Sequence, residues 1–208
     1  APAAPAQEPE KAKSTTPTIE QSLNLKTMSA PRISPDGKYV AYLLRETNWE
    51  ENAFETEIWI AETTTGRVFQ LTNAKKSSTN PAWSLDGAQL AFISDRDGKR
   101  QIYLIAPAGG EARPLTKVEM GVISMAWSPD GKLIAFTMSE PETKASKERK
   151  EKYGEFEVVQ GEYTFTHLWT VDPAGAGSEK LPEPGRLTEG TTFTVGGFDW
   201  APDSRRIA

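Results

Sequence analysis

The 208-residue chain contains no cysteine and a single histidine, His167. The first absence excludes disulfides, thiolate metal sites and a cysteine nucleophile, and it suits reducing and oxidising compartments alike. The second leaves one imidazole for any acid–base or metal work. With no further ligand at metal spacing around it, His167 reads as a structural residue of a strand. Long apolar runs are missing too: nothing approaches the roughly 18 apolar residues of a membrane helix, so no membrane span is expected. Basic charge is not in excess. Lys plus Arg number 24 against 29 Asp plus Glu, a net −5, and no basic stripe interleaves with aromatics, so nucleic acid is not an expected partner. No Walker-type glycine loop, His-Glu-x-x-His helix or Cys/His cluster occurs, and neither cofactor nor metal is expected. A Gly-x-Ser-x-Gly nucleophile elbow is absent as well, so no residue is assigned a catalytic role.

What is present begins with a Pro-, Glu-, Lys-, Ser- and Thr-rich segment, residues 1–17, whose composition buries too little apolar surface to order itself; it reads as a flexible tether. An amino terminus of Ala-Pro-Ala-Ala-Pro-Ala without Met fits a mature exported protein, periplasmic or secreted, as well as a trimmed segment. Thr18-Ile19-Glu20-Gln21 has the spacing of a capping box, predicting a short helix over about Ile19 to Lys26 that packs on the outside of the main domain.

One pattern then recurs four times: Arg32-Ile33-Ser34-Pro35-Asp36-Gly37, Ala82-Trp83-Ser84-Leu85-Asp86-Gly87, Ala126-Trp127-Ser128-Pro129-Asp130-Gly131 and Asp199-Trp200-Ala201-Pro202-Asp203-Ser204. Each copy is a tight turn: proline presets φ, the Ser and Asp oxygens accept backbone N–H bonds, and glycine tolerates positive φ. A strand of aliphatic-Ala-aromatic type follows each of the first three, as in Val40-Ala41-Tyr42, Leu90-Ala91-Phe92 and Ile134-Ala135-Phe136. So little polar alternation suits a strand covered on both faces, with the recurring alanine permitting close approach of neighbouring sheets. Two more strand-like segments complete each copy, the last ending in Leu71-Thr72, Leu115-Thr116 and Leu187-Thr188. Four short antiparallel strands per repeat make the blade of a propeller.

The expected fold is therefore all-β, a partial β-propeller of about three four-stranded blades plus the start of a fourth. The turn aspartates Asp36, Asp86, Asp130 and Asp203 lie 50, 44 and 73 residues apart. Blades are placed at about 27–77, 78–121, 122–190 and 191–208, the third carrying an insertion at about 139–166. A closed ring typically needs four to eight blades, so the chain reads as part of a larger propeller.

The Ser-Pro-Asp-Gly repeat resembles the propeller repeats shared by periplasmic TolB-type proteins and relatives of prolyl oligopeptidase. Three further features resemble the acylaminoacyl-peptidase and dipeptidyl-peptidase 5 branch of the latter: the lead-in Ile19-Glu20-Gln21-Ser22-Leu23-Asn24-Leu25, the segment Asn48-Trp49-Glu50-Glu51-Asn52 inserted between strands two and three of blade one, and the insert around Lys147–Gly154 that closes with Tyr163-Thr164-Phe165-Thr166-His167. That resemblance implies a non-catalytic cap for a serine peptidase, with short peptides as substrates. The partner would be a C-terminal α/β-hydrolase domain carrying a Ser-His-Asp triad, none of which lies in this chain. The rival expectation is a TolB-type module that binds a protein and catalyses nothing.

Glu50 and Glu51 are the substrate-binding candidates, since adjacent carboxylates can hold a peptide's free α-amino group by charge-assisted hydrogen bonds. Adjacent acids are also common on solvated loops. Asp95-Arg96-Asp97-Gly98 looks metal-like but reads as a hairpin turn, and Lys144–Lys152, with both charge signs, reads as an exposed helical or flexible excursion.

Overall fold

The computed structural model describes residues 16–141, 144–154 and 164–208; the tether expected at residues 1–17 falls mostly outside them. Among the described residues the strands form three four-stranded antiparallel sheets. Sheet one runs β1 (Thr27–Ile33), β2 (Tyr39–Asn48), β3 (Ala53–Glu62) and β4 (Val68–Gln70). Sheet two runs β5 (Ser78–Trp83), β6 (Leu90–Ser94), β7 (Gln101–Ile105) and β8 (Arg113–Pro114). Sheet three runs β9 (Val122–Trp127), β10 (Ile134–Ser139), β11 (Thr166–Val171) and β12 (Gly185–Arg186). In each, sequence neighbours pair without crossover. A bridge between Trp200 and Ile207 opens a further hairpin at the fourth repeat. The partial propeller expected from the repeat is the fold observed.

Each first hairpin is closed by the same small network. Ser34 Oγ accepts the N–H of Tyr39 and donates to Asp36 Oδ1 at 2.6 Å, while that oxygen accepts the N–H of Lys38. Ser84 and Asp86 repeat this, as do Ser128 and Asp130. The chain reverses through Gly131 at φ 72°, where a side chain is disfavoured. In the fourth copy Ser204 occupies that place at φ 58°, and its hydroxyl accepts the N–H of Asp130 from the turn before.

The core lies between sheets. Ala41, Ile58 and Ile60 of sheet one meet Phe92, Tyr103 and Ile105 of sheet two. On its other face sheet two meets Ile134, Phe136 and Val171 of sheet three through Ile102, Leu104 and Leu115. Covered on both sides, β6 and β7 are buried along their whole length. Ala41, Ala91 and Ala135 are fully buried, as close approach of the sheets requires. A second device binds each sheet to the last: Trp83, Trp127 and Trp200 donate their indole N–H to the carbonyls of Arg32, Ala82 and Ala126 at 2.9, 3.1 and 3.3 Å. Repetition of one contact at one repeat position is the mark of a radial array.

One expectation needs correction. The capping box forms, with Thr18 and Gln21 bonding reciprocally, but the helix α1 covers only Ile19–Leu23 and buries none of its residues. It stops at Asn24 because the chain must be extended by Thr27 to pair with Arg45. Polar ties hold its end to sheet one rather than packing: Thr47 Oγ1 donates to the Leu23 carbonyl and Trp49 Nε1 to Asn24 Oδ1. Asn48–Asn52 lies between the second and third strands, as expected. The β2–β3 register is unbroken from Tyr39–Glu62 to Asn48–Ala53, so the segment is the tip of an elongated hairpin.

Candidate functional site

The hairpins joining second to third strands all leave the sheets at one end, opposite the Ser-Pro-Asp-Gly turns, and every sequence-predicted site residue belongs to them. In sheet one, Asn48 Oδ1 accepts the N–H groups of Glu50 and Glu51 at 3.0 and 3.1 Å, and Asn52 completes the reversal at φ 48°. Asn and Asp suit such turns because the short side chain bonds the backbone two residues on and tolerates left-handed φ. Both carboxylates are thereby carried, exposed and adjacent, on an anchored tip.

In sheet two, Asp95–Gly98 is a hairpin turn, closed by the Gly98 N–H on the Asp95 carbonyl at 2.8 Å. Its side chains serve packing: the Arg96 guanidinium lies 4.7 Å from the centre of the Tyr103 ring, and Asp97 accepts the Tyr103 hydroxyl at 2.5 Å. Burial, then that carboxylate, pushes the Tyr103 phenol far above its ordinary range.

In sheet three the insertion leaves after Glu140, whose N–H donates to the Phe165 carbonyl at 2.8 Å and closes its neck. The charged run is a helix, α2 (Lys144–Tyr153). Lys147 Nζ reaches Glu119 Oε1 at 3.0 Å, tying the helix to the link between sheets two and three. Residues 142–143 and 155–163, with Tyr163, lie outside the described residues.

A feature that sequence reasoning missed organises this end. The threonine of each Leu-Thr pair turns its hydroxyl inward at the root of the third strand. Thr72 Oγ1 accepts the N–H of Ile58 and donates to Glu57; Thr116 Oγ1 accepts that of Ile102 and donates to Gln101 at 2.8 Å. Thr188 Oγ1 accepts the N–H of Leu168 and lies 3.2 Å from His167 Nδ1. Glu57, Gln101 and His167 thus hold one repeat position, all buried. The Thr188 hydroxyl thus bridges the Leu168 N–H and the Nδ1 side of the imidazole, leaving Nε2 on the other side of the ring. That atom faces Glu140 Oε1 at 3.3 Å, as an electrostatic contact rather than a formed hydrogen bond, and the same oxygen takes Arg186 Nη2. The lone histidine lies buried in the third strand of its sheet, where the sequence placed it. The recurring Leu-Thr was the available signal for the cradle.

Comparison with known proteins follows the same lines. Over 145 residues the chain is 39% identical to an uncharacterized peptidase, YuxL, of Bacillus subtilis, covering 69% of this chain and 22% of that protein. It is 24% identical to dipeptidyl-peptidase 5 of Porphyromonas endodontalis, again over 69% of this chain and 20% of the relative. The chain therefore spans about a fifth of these relatives' length. The uncomplexed acylaminoacyl peptidase of Pyrococcus horikoshii superposes with a TM-score of 0.60 at 20% identity, over 86% of this chain and 27% of that one, a likeness of fold. The model of the TolB beta propeller domain matches residues 14–167, and with the radial array seen here this chain belongs to that family of propellers.

Proposed function

We propose that the chain is the amino-terminal propeller of a serine peptidase of the prolyl oligopeptidase family, a cap that gates the access of short peptides to an α/β-hydrolase domain of the parent polypeptide. The observation that carries this reading is the 39% identity to a peptidase of which the matched segment is only 22%. In this reading the tether is residues 1–17, the blades follow the bounds given above, and the end bearing Glu50, Glu51 and the neck of the insertion faces the substrate chamber. A ring of hairpin tips admits a slim, unfolded peptide and excludes a folded domain, so selection acts through size and orientation rather than through bond chemistry. Acyl transfer itself would belong to the hydrolase domain.

A second reading has support from the family match: a TolB-type propeller that binds a protein and catalyses nothing. The two diverge under one experiment. The full parent polypeptide is treated with a fluorophosphonate probe and assayed with short chromogenic peptides. Labelling of one serine together with hydrolysis is the expected outcome; an unlabelled, inactive polypeptide overturns the peptidase reading in favour of the binding module.

A further inference from the structure

Where the first strands β1, β5 and β9 come together there is a cavity of about 530 Å³. Small-molecule sites run from roughly 300 to 1,000 Å³ and pair apolar walls with a few placed polar groups. Here the walls include Ile33, Trp83, Met125 and Trp127. Both indoles are held in place, Trp83 by its N–H bond to the Arg32 carbonyl and Trp127 by its bond to that of Ala82. Trp83 is also stacked on Tyr39, with 6.3 Å between ring centres.

Arg32 and Asn80 line the same cavity, and neither side chain is needed by the repeat. Counting back four residues from the turn aspartates Asp36, Asp86 and Asp130 gives Arg32, Ala82 and Ala126, so an arginine stands where the next two sheets carry alanine. The duty of that position is done by its backbone carbonyl, which accepts an indole N–H in all three cases. The Arg32 side chain is exposed and, among the described residues, has no carboxylate partner. No other charged residue among those described lines the cavity. Asn80 sits where β5 breaks register between Thr79 and Ala82, at φ 55°, and Pro81 follows with no N–H to leave unpaired. Its amide is exposed and without a hydrogen-bond partner among the described residues.

We propose that this cavity binds the carboxyl-terminal end of an unfolded peptide whose last side chain is apolar. Arg32 takes the carboxylate, Asn80 adds a second donor, and the last side chain lies against Trp83, Met125 and Trp127. Charge complementarity fixes the anion, because the guanidinium fork matches a carboxylate with two parallel bonds. The apolar walls fix what must be attached to it. The site goes beyond the gating role and does not rest on it, since β1, β5 and β9 serve a peptidase cap and a binding module alike.

The test is isothermal titration of the full parent polypeptide with N-acetyl-Ala-Ala-Leu and with its carboxamide. Acetylation removes the amine that Glu50 and Glu51 could hold. Treatment with the fluorophosphonate beforehand stops turnover if the parent is a peptidase and alters nothing if it is not, so failure of that reading leaves this one testable. The acid is expected to bind about tenfold more tightly than the amide, as a charge-assisted hydrogen bond implies. Arg32→Ala, which installs the residue of the next two sheets, should bring the acid to the level of the amide with circular dichroism unchanged. Asn80→Gly, which keeps the left-handed backbone, should weaken the acid alone, and ending the acid in Gly should weaken it in every variant. Equal affinity of acid and amide, no binding of either, or an acid unaffected by Arg32→Ala overturns the site. N-acetyl-Ala-Asp-Leu carboxamide binding as tightly as the acid would overturn the carboxyl terminus as its ligand. An acid indifferent to Asn80→Gly overturns the second donor, and one indifferent to a terminal Gly overturns the apolar contact.

Discussion

Trp127 donates its indole N–H to the carbonyl of Ala82, 3.1 Å away in the preceding sheet. The contact steps round the array at one repeat position, and sheet one lacks a donor there because Ile33 stands where the others have tryptophan. Replacing Trp127 by Phe keeps an aromatic ring and removes the donor. The expected loss is about 1 kcal/mol, the net value of a hydrogen bond. Urea denaturation would measure it, and an unchanged midpoint with an unchanged slope would reduce the indole to contact area alone.

The Ser-x-Asp turns carry a pH dependence of definite sign. The Ser34 hydroxyl, then Lys38, holds the Asp36 carboxyl down at about 2, and the Ser84 and Ser128 hydroxyls lower Asp86 and Asp130 in the same direction. A carboxyl lowered by folding contributes stability above its unfolded value, and that contribution is lost as pH falls toward the folded one. For Asp36 the window runs from 3.8 down to about 2. Ser34→Ala removes the largest cause, so carbon-detected titration should find the Asp36 carboxyl moved up toward the ordinary carboxylate range. An unmoved titration would assign the shift to Lys38.

Thr116 joins two strands and a buried amide through one oxygen. Thr116→Val is nearly isosteric, yet it strands the Ile102 N–H and one acceptor site of Gln101 in the core. A cost of about 1–3 kcal/mol is expected, the range for an unsatisfied buried group. Calorimetric unfolding checks this, and a cost below about 0.5 kcal/mol, typical of surface changes, would show that the cradle is dispensable.

Glu50 and Glu51 are the place to test orientation of substrate. Their backbone N–H groups are already held by Asn48, so Glu50→Gln with Glu51→Gln leaves the turn intact. On the peptidase reading, the double variant of the full parent polypeptide should raise KM for peptides with a free amino terminus and leave kcat, and the KM of acetylated peptides, close to the starting values. A KM equally insensitive for both classes would remove the amine-anchor role.

The sheets were legible in the sequence because each turn repeats its chemistry within a few residues: Ser, Asp and Gly act on one another locally, so their spacing suffices. What escaped was non-local. Glu57 looked like one of many charged residues, and only the fold brings Thr72 back, 15 residues on, to meet it. The helix was drawn too long because its capping box fixes a start but not an end; the end is dictated by pairing of Thr27 with Arg45. Glu50 and Glu51 fall between the second and third strands where the sequence put them, while the length of the hairpin that carries them was hidden because polar residues on its outer half mask the strand pattern.

The neck formed by Glu140 and Phe165 has an engineering consequence. The ladder of β10 and β11 runs without a break to Ser139 and Thr166 and is sealed one step further by the bond between those two residues. Whatever is spliced in above that seal hangs from a finished hairpin, so the position offers a graft point where a reporter peptide or a foreign loop can be mounted without re-registering a single strand.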